Sequence, residues 1–100
     1  MAALLIITYD VVDAEKYATY NPGSLEGIMQ TLAKHSGELV AAEKDSEYVS
    51  GDKRDMTIVI RFPDAAAAKA WHDDPEYVPY RDIRLAATGN ITTIVANEVG

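Results

Sequence analysis

Apolar and polar positions along this chain alternate between a short-period and a long-period rhythm. From Ala3 to Val12 the run Leu4-Leu5-Ile6-Ile7-Thr8-Tyr9 is almost continuously apolar and rich in β-branched residues. It predicts a central strand covered on both faces. Asp13 follows as a helix cap, and Ala14 to Tyr20 is helix-compatible, with Tyr17 and Tyr20 spaced to share a face. Asn21-Pro22-Gly23 interrupts that helix. Ser24 caps its continuation, where Leu25, Ile28, Met29, Leu32 and Ala33 make a full amphipathic stripe. Lys34 and His35 close the last turn, and Gly37 is placed as the stop. The spacing thus predicts one interrupted helical segment over Ala14 to His35.

The period then returns to two. Glu38 to Ala42 reads as a second strand, and the charged stretch Glu43 to Asp55 as an exposed hairpin whose mixed charges discourage edge pairing. Met56 to Phe62 is a third strand, with Met56, Ile58, Ile60 and Phe62 on one face and Thr57, Val59 and Arg61 on the other. Pro63 ends it, and Asp64 caps an alanine-rich helix through His72. Asp73-Asp74-Pro75 stops that helix. A last helix begins near Pro79 and runs to Thr88, with Gly89 beyond it, before a fourth strand from Ile91 to Glu98. The order β-α-β-β-α-β is the split, ferredoxin-like α+β pattern: a four-stranded antiparallel sheet with helices on one face. The first, third and fourth strands are nevertheless apolar on both faces. The uncovered face requires a partner, and a second copy of the sheet is the simplest one.

Composition narrows the function. A length of 100 residues suits one domain spanning residues 1–100. The net charge of −7 opposes binding to phosphate backbones or anionic lipid, so neither a nucleic acid nor a membrane is an expected partner. No apolar run is long enough for a membrane helix. The start MAALLIITYDVV lacks a basic leader and reads as a strand rather than a signal peptide. The absence of cysteine excludes disulfides and thiolate chemistry and fits a cytoplasmic location.

The chemistry-bearing residues concentrate between Phe62 and Gly89, where an indole, an imidazole, phenols and guanidinium groups crowd together. Trp71, Tyr77 and Arg84 are the first choice for a pocket. The rings supply apolar area and the guanidinium can hold a carboxylate or enolate. Against this stands a core reading, with Trp71 buried as an anchor and Arg84 paired outside with Glu76 or Asp82. Tyr17 and Tyr20 are further binding candidates, and a phenol such as Tyr17 can donate to a developing oxyanion. His72, beside Asp73 and Asp74, is a candidate general base. His35, in a helix's last turn, is better explained by the dipole. The two histidines lie far apart and make no metal cluster, so no metal or other cofactor is expected.

Several of these residues also form a pattern. Asp13-x-x-x-Tyr17-x-x-Tyr20, Ser36-Gly37, Phe62-Pro63, Ala68-x-Ala70-Trp71, Pro75-Glu76-Tyr77 and Arg84 with Ala86-Ala87 resemble, in order and spacing, the dimeric α/β-barrel proteins of domain-of-unknown-function family 1330. Ser36 stands where that family usually has glycine. The resemblance implies homodimers whose sheets face each other as a barrel. It also implies kinship in fold with cofactor-free monooxygenases, muconolactone isomerase, ethyl tert-butyl ether degradation proteins, and haem-binding dismutases and peroxidases. Fold kinship carries no chemistry by itself. Two readings follow. In one, Tyr17, Tyr20, Trp71, Tyr77 and Arg84 hold a small aromatic or carboxylated metabolite, and Arg84, His72 and Tyr17 perform cofactor-free oxygenation or isomerisation. In the other the protein is a non-catalytic ligand-binding or dimerisation module.

Overall fold

The computed structural model describes residues 1–100. Its elements run β1 (Ala3–Val11), α1 (Ala14–Tyr20), α2 (Leu25–Lys34), β2 (Glu38–Lys44), β3 (Met56–Phe62), α3 (Ala65–His72), α4 (Val78–Ala87) and β4 (Thr88–Asn97). The sheet order is β2-β3-β1-β4 and every pairing is antiparallel, which is the ferredoxin-like arrangement. Strand β1 is therefore central, and its alternation divides the molecule. Ala3, Leu5, Ile7 and Tyr9 are buried beneath the helices, while Leu4, Ile6 and Thr8 point to the opposite, helix-free face. On β3, Met56, Ile60 and Phe62 join the core.

Local chemistry sets the helix boundaries. Asp13 and Asp64 are extended residues whose carboxylates accept the N–H groups of Lys16 (3.1 Å) and Ala67 (2.8 Å), capping α1 and α3. The helical segment breaks at Asn21-Pro22-Gly23 as expected, with Asn21 extended, and so forms the two helices α1 and α2. The stop of α2 also differs from expectation. Ser36, not Gly37, takes the left-handed conformation (φ 58°). The N–H groups of Ser36 and Gly37 reach back to the carbonyls of Ala33 (3.1 Å) and Leu32 (2.8 Å), a Schellman motif with serine at the left-handed position. Gly37 is needed for space. A Cβ there would stand 2.8 Å from the Phe62 ring and 3.0 Å from Leu32.

The last helix and strand meet without the glycine stop that the sequence suggested. Helix α4 ends at Ala87, and β4 begins at Thr88 and so includes Gly89. The Ala87 carbonyl accepts the N–H groups of Val12 (2.9 Å) and Asp13 (3.1 Å), and the Thr88 hydroxyl donates to the Arg84 carbonyl (2.7 Å). A tertiary contact and a local hydroxyl thus satisfy carbonyls that a C′ glycine would otherwise serve. No helix is long and apolar enough to cross a membrane.

The crowding around Gly37 predicts that Gly37→Ala lowers stability by about 1–3 kcal/mol, the usual range for overpacking. Ser36→Gly, which relieves a left-handed serine, should not destabilise the fold. Urea denaturation of the two variants checks the contrast.

Candidate functional site

Helix α3 carries alanine at Ala65 to Ala68, and Ala68 is fully buried, so α3 lies close to β1, β3 and β4. Helix α2 presents larger side chains and packs less closely on the sheet. The difference leaves a cavity of about 60 Å³ between α2 and the sheet. Ile7, Tyr9, Ile58 and Ile60 form its floor, and Leu25, Ile28, Met29 and Leu32 of α2 form its roof. Tyr17, Tyr20, Trp71 and Arg84 close the inner end. The other end opens between α2 and β2, where Leu25 (42%), Met29 (40%) and Leu39 (37%) are exposed to solvent. By volume the enclosed part has room for a few waters or a small head group.

The inner end is built from phenols in hydrogen-bonded pairs. The Tyr9 and Tyr17 hydroxyls lie 2.7 Å apart and those of Tyr20 and Tyr77 2.8 Å apart. Tyr77 stacks on Trp71 with ring centroids 4.0 Å apart, and the Trp71 indole N–H donates to the Thr31 hydroxyl at 3.0 Å. Burial, together with the hydrogen bond to Tyr17, pushes the Tyr9 phenol far above its ordinary pKa. Burial, with Tyr77 close by, does the same to Tyr20. Both phenols therefore stay protonated near neutral pH.

Arg84 stands among these phenols. It lies on the buried face of α4 together with Ala87 and is 1% exposed. Its Cζ sits 5.6 Å from the centroid of the Tyr9 ring, a cation–π contact. No acid pairs with it, and Nε, Nη1 and Nη2 are all buried without a hydrogen-bond partner. Burial opposes the charge, while the dipoles of the neighbouring Tyr77, Tyr20 and Tyr9 phenols favour it and keep Arg84 a cation. Arg84 is a buried cation with no counter-ion. Elsewhere such a group costs several kcal/mol of solvation free energy unless it is paired.

The turn between α3 and α4 that aims Arg84 is held by Asp74. Its buried carboxylate takes Lys34 Nζ at 2.9 Å and His35 Nε2 at 2.6 Å, and accepts the Glu76 N–H at 2.8 Å. Those bonds, first the one to His35, hold the Asp74 carboxyl well below the usual carboxylate range. The clamp ties the end of α2, the cavity roof, to the start of α4.

Of the residues singled out from the sequence, the structure brings Tyr17, Tyr20, Trp71 and Arg84 to the cavity wall, and sets Tyr77 directly behind Trp71. Trp71 is as buried as the core reading required (1%), yet Arg84 is not paired outside as that reading also required. His72 is not part of this group. It lines a separate hollow with Leu5, Thr93 and Val95, beside Asp73 (3.4 Å), while Arg81 donates to its carbonyl. Burial foremost, with Arg81 adding to it, lowers the His72 pKa. Tyr9 was missed, although strict alternation from Ala3 puts it on the face of Leu5 and Ile7. His35 meets Asp74 rather than serving the helix dipole alone, and that partner lies across the fold where no local pattern points.

The fold and site together define a ferredoxin-like α+β protein with a cavity between helices and sheet. A family model, described as a domain of unknown function (DUF1330), matches residues 2–98, and the chain belongs to that family. No curated protein matches it. Solved structures of the same fold include a protein of unknown function from Rhodopseudomonas palustris, at 17% identity and a TM-score of 0.77 over 99% of this chain and 83% of that one. A dimeric ferredoxin-like protein of unknown function from Bacteroides fragilis matches at 18% identity and a TM-score of 0.65, covering 97% of this chain and 96% of that one. A Caulobacter crescentus protein described as a "putative antibiotic biosynthesis monooxygenase" matches at 11% identity and a TM-score of 0.69, over 99% and 91% of the two chains. At these identities the likeness is one of fold.

The depressed Asp74 pKa fixes the sign of one pH effect. Its stabilisation is fully present above the unfolded carboxylate pKa, roughly 3.9, and is lost as pH falls through the lower folded value. Asp74→Asn should therefore destabilise the protein at neutral pH. The gap to wild type should stay open down to about pH 4 and narrow below it. Thermal melts of both proteins between neutral and strongly acidic pH read this directly.

Proposed function

We propose that this protein is a homodimer that binds a small molecule in each protomer, between α2 and the sheet. The observation that carries the reading is the cavity itself: aromatic and apolar walls, one buried polar end, and a mouth to solvent. That is the usual composition of a ligand site. The dimer rests on the helix-free face, where Ile6 of β1 lies between Val59 of β3 and Ile94 of β4. Ile94 is half exposed there, and Arg61, bound to Glu98 at 2.6 Å, stands at the rim. An apolar centre with a charged rim is how a subunit interface is built, and structural neighbours such as the Bacteroides fragilis protein are described as dimeric.

The chemistry this site suits is stabilisation of an oxyanion, by Arg84 as the charge and by Tyr17 or Tyr20 as donors. Cofactor-free oxygenation and isomerisation both pass through such an anion, and the neighbour described as a putative antibiotic biosynthesis monooxygenase is in keeping with that reading. The non-catalytic alternative has a specific observation in its favour. No carboxylate or imidazole lines the cavity, and phenols raised as far as Tyr9 and Tyr20 are poor bases. Binding is therefore the primary function proposed, with any proton leaving the substrate carried by solvent or by the substrate itself.

Two variants test the two parts. Ile6→Glu puts charges at the centre of the sheet face and should convert a dimer to a monomer in sedimentation velocity. A wild-type protein that sediments as a monomer at micromolar concentration rules the dimer out. Ala42→Trp places an indole at the mouth of the cavity. Small apolar compounds that raise the wild-type melting temperature should lose that effect in this variant. Equal stabilisation of both proteins defeats the pocket reading.

A further inference from the structure

The inner end of the cavity holds more hydrogen-bond donors than acceptors to meet them. The Arg84 guanidinium has donors only, and all three of its nitrogens are unpartnered. Each phenol pair, Tyr9 with Tyr17 and Tyr20 with Tyr77, consumes one hydroxyl hydrogen and leaves the other free. The Thr31 hydroxyl, which accepts from Trp71, already donates to the Ile28 carbonyl at 2.6 Å. No carboxylate lines the cavity. Apart from Arg84, and Asn21 next to Tyr20, the walls are apolar or aromatic out to the mouth at Leu25, Met29 and Leu39.

Resting on the pocket reading above, we propose that the ligand is an apolar monocarboxylate bound head-in. Its anionic oxygens meet Arg84 and the free phenol hydrogens in the enclosed part, and its apolar body lies in the open mouth against Leu25, Met29 and Leu39. Four features select this class. The end group must accept and not donate, which excludes amines and disfavours alcohols. Its charge must be negative, because the guanidinium is buried without a counter-ion. A single cation matches a monoanion rather than a phosphate dianion. The planar fork of a guanidinium fits the two oxygens of a carboxylate. The apolar walls then exclude small polar anions as the whole ligand, since they leave the rest of the site to be filled by an apolar body.

The probes are octanoate and 4-phenylbutyrate, their neutral primary amides, and octylamine, each titrated calorimetrically into the full-length protein. The acids should bind at least about tenfold more tightly than the matched amides, the scale of a charge-assisted hydrogen bond. Octylamine should not bind. In Arg84→Met the preference for acid over amide should vanish. That variant should also melt about 5 °C higher than wild type without ligand, since an unpaired buried charge is removed. Should it fail to fold, the Arg84 Nε–Hε resonance of wild type decides instead, and it should shift on adding an acid and not an amide. Amides binding as tightly as acids overturn the carboxylate assignment and leave the cavity as a neutral-ligand site. If no probe of any class binds, the pocket reading itself falls.

Discussion

The constraint on which the structure turns is the one-sided cover of a sheet whose central strand is apolar on both faces. Strand β1 pairs with β3 on one side and β4 on the other, so it has no edge to hide and two faces to bury. The helices take the face of Leu5, Ile7 and Tyr9. Everything that follows is a consequence of how unevenly they do so. Small residues let α3 settle onto the sheet, and the bulkier stripe of α2 holds that helix off it. The cavity is the space between those two packing distances.

Into that space the fold delivers a charge. A buried guanidinium without an acid is an expensive object in a domain of this size, where total stability is of the order of 5–15 kcal/mol. The aromatic surround offsets part of the cost through the quadrupole of Tyr9 and the dipoles of the phenols. It cannot supply an anion, because those phenols hold their protons. Neutralising that charge is what the proposed ligand contributes. The Asp74 clamp belongs to the same logic. It joins the roof of the cavity to the turn that starts α4, so the mouth and the guanidinium are parts of one braced unit.

The elements themselves were largely legible in the sequence. Period-two and period-3.6 patterns gave the strands and helices, and the apolar second face of β1, β3 and β4 pointed to the need for a partner. The departures have local physical causes. Ser36 rather than Gly37 takes the left-handed position because α2 ends at Lys34 with His35 as its cap, and Gly37 instead gives room to Phe62. Helix α4 passes directly into β4 because Val12 and Asp13, in the link from β1 to α1, satisfy its terminal carbonyl. Tyr17, Tyr20, Trp71, Tyr77 and Arg84 were recognisable as an unusually dense set of aromatic and cationic groups. Tyr9 was not singled out, because within an apolar run an aromatic residue looks like one more core side chain.

What the sequence determined by itself was the βαββαβ order, the face that each strand and helix buries, and the residue types available for a site. Those follow from periodicity and capping, which are short-range properties of the chain. Tertiary structure alone decided which of those residues meet. Asp74 closes on His35 across 39 positions of sequence, and Tyr20 meets Tyr77 across 57. His72, with the same local chemistry as a catalytic base, is turned to another hollow. Whether Arg84 finds an acid or a cavity depends on distances between elements, set by side-chain volumes across the whole core, and no local pattern records them.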